Sequence, residues 1–99
     1  MLHIVNKSSN QSTALQQCLE FAQEGDAVIL IEGGVLSACK QLGTCLLSEP
    51  LDKVTIYVLT EDLMVRGLSA ADCYEHINDT LYSGFVALVT QHSPVKSWF

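Results

Sequence analysis

Two apolar runs, "AVILIE" (27–32) and "VTIYVLT" (54–60), constrain this chain more than any other feature. The first is β-branched and continuous, as in a strand covered on both faces, and the second is the strongest strand in the chain. Helical patterns separate them from each other and from shorter runs. "LHIV" (2–5) is a short strand, followed by the polar stretch "NKSSNQS". A helix is expected from about Ser12 to Glu24, with Ser12 as N-cap and Gly25 beyond its end. Gly33-Gly34 breaks the second strand, and "VLSACKQL" reads as a short helix. "EDLMVRG" is a helical turn closed by Gly67, whereas "LSAADCYEHI" fits no single pattern. "TLYSGFVALVTQH" (80–92) carries Leu81, Tyr82, Phe85, Val86, Leu88 and Val89 on a broad helical face, and Pro94 ends it. "VKSWF" is then a possible edge strand.

Strand, helix, strand, short helix, strand is the signature of an α/β fold. The expected architecture is a mostly parallel sheet of about five strands with helices on both faces. The chain, residues 1–99, reads as one small domain. In such sheets functional groups gather at the carboxyl ends of strands. Here those ends are Asn6-Lys7-Ser8, Glu32-Gly33-Gly34 and Thr60-Glu61-Asp62. The helices are few and short for the sheet, so part of its cover is expected from another chain.

Charge narrows the function classes. A net charge of −6, with only five scattered Lys and Arg, gives no basic stripe for a phosphate backbone. Direct nucleic-acid binding is therefore not expected. No apolar run reaches the roughly 18 residues of a membrane span. "MLHIVNKSS" lacks an export pattern, so the expected setting is cytoplasmic, without membrane association.

Four cysteines, Cys18, Cys39, Cys45 and Cys73, form no C-x-x-C pair, and free thiols are expected. Zinc could in principle draw on Cys39, Cys45, His76 and His92, but the spacing of the first two is not the usual one. Gly33-Gly34 lacks the continuation of a phosphate-binding loop and reads as a tight turn. His3 reads as a hydrogen-bonded sheet residue, and Glu61-Asp62 as acids in a helix's first turn. No cofactor and no metal site is expected.

Cys18 is the residue on which function turns. At about 100° per residue, Ala14, Leu15, Cys18, Leu19, Phe21 and Ala22 share an arc of about 160°. Cys18 sits near its middle, where a buried cysteine behaves as a small inert hydrophobe. It also lies beyond the first turn, where the helix dipole does little to lower a thiol pKa.

Four blocks, "MLHIVNKS", "LQQCLEFAQEGDAVILIEGGV", "YVLTEDLMVRGL" and "FVALVTQHSPVKSW", closely resemble the DsrH/TusB family of sulfur-relay subunits in sequence, order and spacing. Residues 37–52 and 69–79 match least. The resemblance implies a small α/β subunit that joins DsrE/TusD-like and DsrF/TusC-like subunits in a heterohexamer passing persulfide sulfur between cysteines. A protein of the DsrC/TusE type would accept the sulfur downstream. The sulfur would go to 2-thiouridine at the tRNA wobble position or, in sulfur oxidisers, into dissimilatory oxidation. DsrH-like members carry a cysteine in the first helix, and Cys18 occupies that position. Some tRNA-thiolation members lack it, so its presence leans toward a DsrH-like role. The resemblance thus makes Cys18 a candidate catalytic, persulfide-carrying residue of a sulfurtransferase complex, against the inert role its helical pattern implies. A non-catalytic subunit supporting a partner's cysteine is the alternative.

Overall fold

The structure, a computed structural model, describes residues 1–42 and 45–99, with Cys45 described by its backbone alone. Five strands, β1 (Leu2–Val5), β2 (Ala27–Leu30), β3 (Thr55–Leu59), β4 (Asn78–Thr80) and β5 (Val95–Trp98), form one sheet in the order β4-β3-β2-β1-β5. All four pairings are parallel. Among the described residues three helices connect them: α1 (Ala14–Phe21), α2 (Thr60–Val65) and α3 (Tyr82–Gln91). The 3₁₀ segments Glu32–Ala38, Cys45–Leu47 and Ala70–Asp72 complete the connections.

β2 is buried at every position because it lies at the sheet's centre with both faces covered. Strand alternation divides its neighbours between two cores. On one face Val5, Val28, Leu30, Ile56 and Val58 pack with Leu15 and Cys18 of α1, Val35 and Ala38 of the first 3₁₀ segment, and Leu63 of α2. On the other, Leu2, Ala27 and Ile29 pack with Leu88, joined by the partly buried Ile4, Tyr57 and Phe85. That second face has α3 as its only helix among the described residues.

Several expected bounds shift for local reasons. α1 is shorter than 12–24, and its N-cap position is Thr13, which makes no side-chain cap bond. Ser12 nevertheless serves the helix start, since its Oγ accepts the Ala14 N–H at 3.0 Å. At the other end Ala22 turns extended, its carbonyl accepts from Lys53 Nζ at 3.3 Å, and the Gln23 N–H goes to Asp26 Oδ2 at 3.0 Å. Those bonds replace a further helical turn. β2 stops at Leu30 rather than Glu32, because Glu32 adopts a left-handed φ of 49° and starts a 3₁₀ segment. A helix at "VLSACKQL" is therefore corrected to a 3₁₀ segment that begins at Glu32 and ends at Ala38. Gly34 is required there: a Cβ would overlap the carbonyl oxygen of Val5 at the end of β1.

Candidate functional site

Cys18 lies on the inward face of α1 and is fully buried, with no exposed surface. Burial pushes its thiol up to about 12, and the negative charge of Asp26 adds to the shift. Nucleophilic sulfur transfer requires a thiolate. With such a pKa the thiolate is a negligible fraction of the chains at pH 7.

The nearest polar cluster does not activate it. Fully buried His3 stands on β1, and its Nε2 meets Asp26 Oδ2 at 2.9 Å. The indole Nε1–H of Trp98 donates to His3 Nδ1 at 3.1 Å. An indole nitrogen only donates, so Nδ1 accepts and the ring proton resides on Nε2, which donates to Asp26. Both ring nitrogens are engaged, which leaves His3 no free lone pair to serve as a base for Cys18. Asp26 also accepts from the Met1 amino group at 3.0 Å. Partial burial raises its carboxyl pKa, but the bonds from Gln23, His3 and Met1 more than offset this and hold it far below the ordinary carboxylate range.

This cluster secures the edge strand. The rings of Phe21 and Trp98 meet edge-on at 5.7 Å, and Lys96 Nζ lies 4.7 Å from the Trp98 ring centre. β5 and its aromatic are thereby tied to β1 and α1. His3 is a hydrogen-bonded sheet residue, as its alternation in the sequence implies. Its partners, Asp26 and Trp98, are too distant along the chain for spacing to reveal.

The strand-end acids are structural. Asp62 Oδ2 accepts the Glu32 N–H at 2.6 Å, and Glu61 Oε2 accepts the Tyr82 N–H at 3.0 Å. Asp62 thus holds the left-handed turn after β2, while Glu61 satisfies the first N–H of α3. Gly33-Gly34 serves as a turn pressed against β1. Among the described residues no three His, Cys, Asp or Glu side chains gather as a metal would need. His76 instead bonds the Leu47 carbonyl at 2.8 Å. The side chain of Cys45 lies outside the described residues.

α3 presents a different surface. Only Leu88 of this helix is buried. Tyr82, Val86 and Val89, spaced i, i+4, i+7, form an apolar stripe facing outward, with Tyr82 61% and Val86 47% exposed. Leu81, just before the helix, is also exposed. No helix among the described residues is long and apolar enough to cross a membrane.

Comparison with known proteins agrees with this architecture. Residues 7–95 match the model of the family described as DsrH like protein. The chain is 31% identical to protein TusB of Escherichia coli strain SMS-3-5 over 102 residues, covering 99% of this chain and all of that protein. Protein TusB of Shigella flexneri is likewise 31% identical over 103 residues, with the same coverage. The solution NMR structure of protein Tm0979 from Thermotoga maritima superposes with a TM-score of 0.66, covering 93% of this chain and 94% of that one at 23% identity, a likeness of fold.

Proposed function

The chain belongs to the DsrH/TusB family of sulfur-relay subunits, and we propose that it works as one member of a cytoplasmic complex with DsrE/TusD-like and DsrF/TusC-like sister subunits. The observation that carries this reading is the family match along nearly the whole chain. The outward stripe of α3 supports it, because an apolar surface of this kind is suited to burial against another subunit. Sulfur leaving the complex would pass to a DsrC/TusE-type acceptor, toward wobble-uridine thiolation or sulfur oxidation.

Within that complex we assign sulfur carriage in this chain to Cys18. The Cys18 thiolate attacks the outer sulfur of a partner's cysteine persulfide, the S–S bond breaks, and the partner leaves as a thiolate. The proton from Cys18 passes to solvent or to the departing thiolate. Since Asp26 raises the pKa and His3 is fully engaged, the thiolate would have to be stabilised by a cation from the partner, with α1 displaced from the sheet. The complete burial of Cys18 favours a second reading, in which the chain supports the partner's reacting cysteine and transfers nothing itself.

Co-expression with both sister subunits tests the assembly. Sedimentation should show all three chains in one multi-subunit species. A stable monomer that ignores both partners would remove the basis of the proposal.

A further inference from the structure

Outside the Cys18 region two other thiols face each other. Cys39 follows the 3₁₀ segment Glu32–Ala38, and Cys73 follows the segment Ala70–Asp72; the two form an isolated antiparallel bridge. The Lys40 N–H donates to the Asp72 carbonyl at 2.9 Å and the Tyr74 N–H to the Ala38 carbonyl at 3.1 Å. These flanking bonds make Cys39 and Cys73 the non-hydrogen-bonded pair of the bridge, the type whose Cα atoms approach to about 4.5 Å. That separation lies within the range a disulfide spans, about 4.4–6.8 Å. Both thiols are reduced, and each donates to a backbone carbonyl, Cys39 Sγ to Val35 at 3.7 Å and Cys73 Sγ to Ser69 at 3.9 Å. A cavity of about 300 Å³ lies alongside, lined by Cys39, Lys40, Leu42, Leu68, Ala71 and Asp72 among others.

We propose that Cys39 and Cys73 form a reversible redox site, closing to a disulfide by exchange with a small disulfide that enters this cavity. The inference is independent of any role for Cys18. In the first step the Cys39 thiolate attacks one sulfur of the reagent RSSR, giving a mixed disulfide and releasing RS⁻. In the second the Cys73 thiolate attacks Cys39 Sγ, forming the protein disulfide and releasing the second RS⁻. The two protein thiols are oxidised, RSSR is reduced to two RSH, and the two protein protons end on the released thiolates. Cys39 is the entry point because it lines the cavity, whereas Cys73 does not. Burial raises both thiols, Cys73 to about 12, so exchange on the folded chain is slow at neutral pH and should quicken as pH rises. In a reducing compartment the pair stays open.

The full chain, refolded in a buffer of 2-mercaptoethanol and hydroxyethyl disulfide, tests this without the kinetic barrier of burial. Tryptic mapping under non-reducing conditions should link peptide 8–40 to peptide 67–96, with the mass lowered by two hydrogens. Because Cys18 shares the first peptide, the link must persist in Cys18→Ala and vanish in Cys39→Ser. Oxidation should raise Tm by roughly 10 °C, reversibly, through the closed loop between the two residues. The double variant Cys39→Ala/Cys73→Ala should show no such shift. Refolded chains that remain all-thiol, that retain a mixed disulfide on Cys39, or that link through Cys45 or Cys18 would each overturn the proposal.

Discussion

The two faces of the sheet are finished to different degrees. One is closed by α1, α2 and the segment Glu32–Ala38, and it buries Cys18 beside Leu15, Val28 and Leu30. The other has a smaller core beneath α3, whose outer side exposes Tyr82, Val86 and Val89. The same sheet supplies apolar residues to both, so the difference lies in what covers them. A face closed within the chain serves stability, whereas an apolar surface turned outward is suited to association. The chemistry assigned to the chain sits beneath the closed face, while the surface suited to a partner is on the other side.

Truncation inside the closed face should have the largest effect. Leu30→Ala removes a fully buried side chain at the sheet's centre and should cost about 2–5 kcal/mol in denaturant unfolding. A cost below about 1 kcal/mol would mean that this core is looser than its burial indicates.

Trp98→Ala should come next, at about 1–3 kcal/mol, because it removes a half-buried ring and the donor to His3 Nδ1. Trp98 is the only tryptophan, so the fluorescence of wild-type chain also reports its environment. Emission at the wavelength of fully hydrated indole would show that β5 is not held as described.

Alkaline pH probes the same face through Cys18. Its folded-state pKa, about 12, is raised above the ordinary value of 9.0, so the folded state favours the protonated thiol. The resulting stability is complete below pH 9 and is lost progressively between pH 9 and 12. Cys18→Ala should therefore flatten the fall in stability over that window, leaving the part due to Cys39 and Cys73, which are shifted in the same direction. Identical pH profiles for variant and wild type would place the Cys18 thiol in contact with water.

The outward face should give the smallest effect on folding. Val86→Asp should change the stability of the isolated chain by no more than about 0.5 kcal/mol. The same substitution should prevent co-sedimentation with the sister subunits, since it puts a charge in the apolar stripe. Unimpaired assembly would move the interface away from α3.

Strands β1, β2 and β3 and helix α3 were legible in the sequence because their apolar residues follow a clear period. β4 was not, because "NDT" is polar and pairs only at the sheet's edge, beside β3. The stretch "VLSACKQL" (35–42) reads as a short helix, but nothing in the sequence marks the 3₁₀ geometry of Glu32–Ala38, which is set by Asp62 and by contact with β1. Cys18's inward orientation followed from helical spacing. The bonding of His3 to Asp26 and Trp98, and the placement of Cys39 opposite Cys73, depend on residues brought together only by the fold. Spacing along a chain does not encode such juxtapositions.

The most direct test of a thiol closed in the lone chain and opened by assembly is persulfide mapping in both states. Isolated chain and reconstituted complex would be treated with the same persulfide donor, digested and analysed by mass spectrometry. Cys18 should gain no sulfur in the isolated chain and one in the complex, lost in Cys18→Ser with assembly intact. A Cys18 that stays unmodified in a complex whose partner cysteine is loaded would contradict this assignment and leave the chain a supporting subunit.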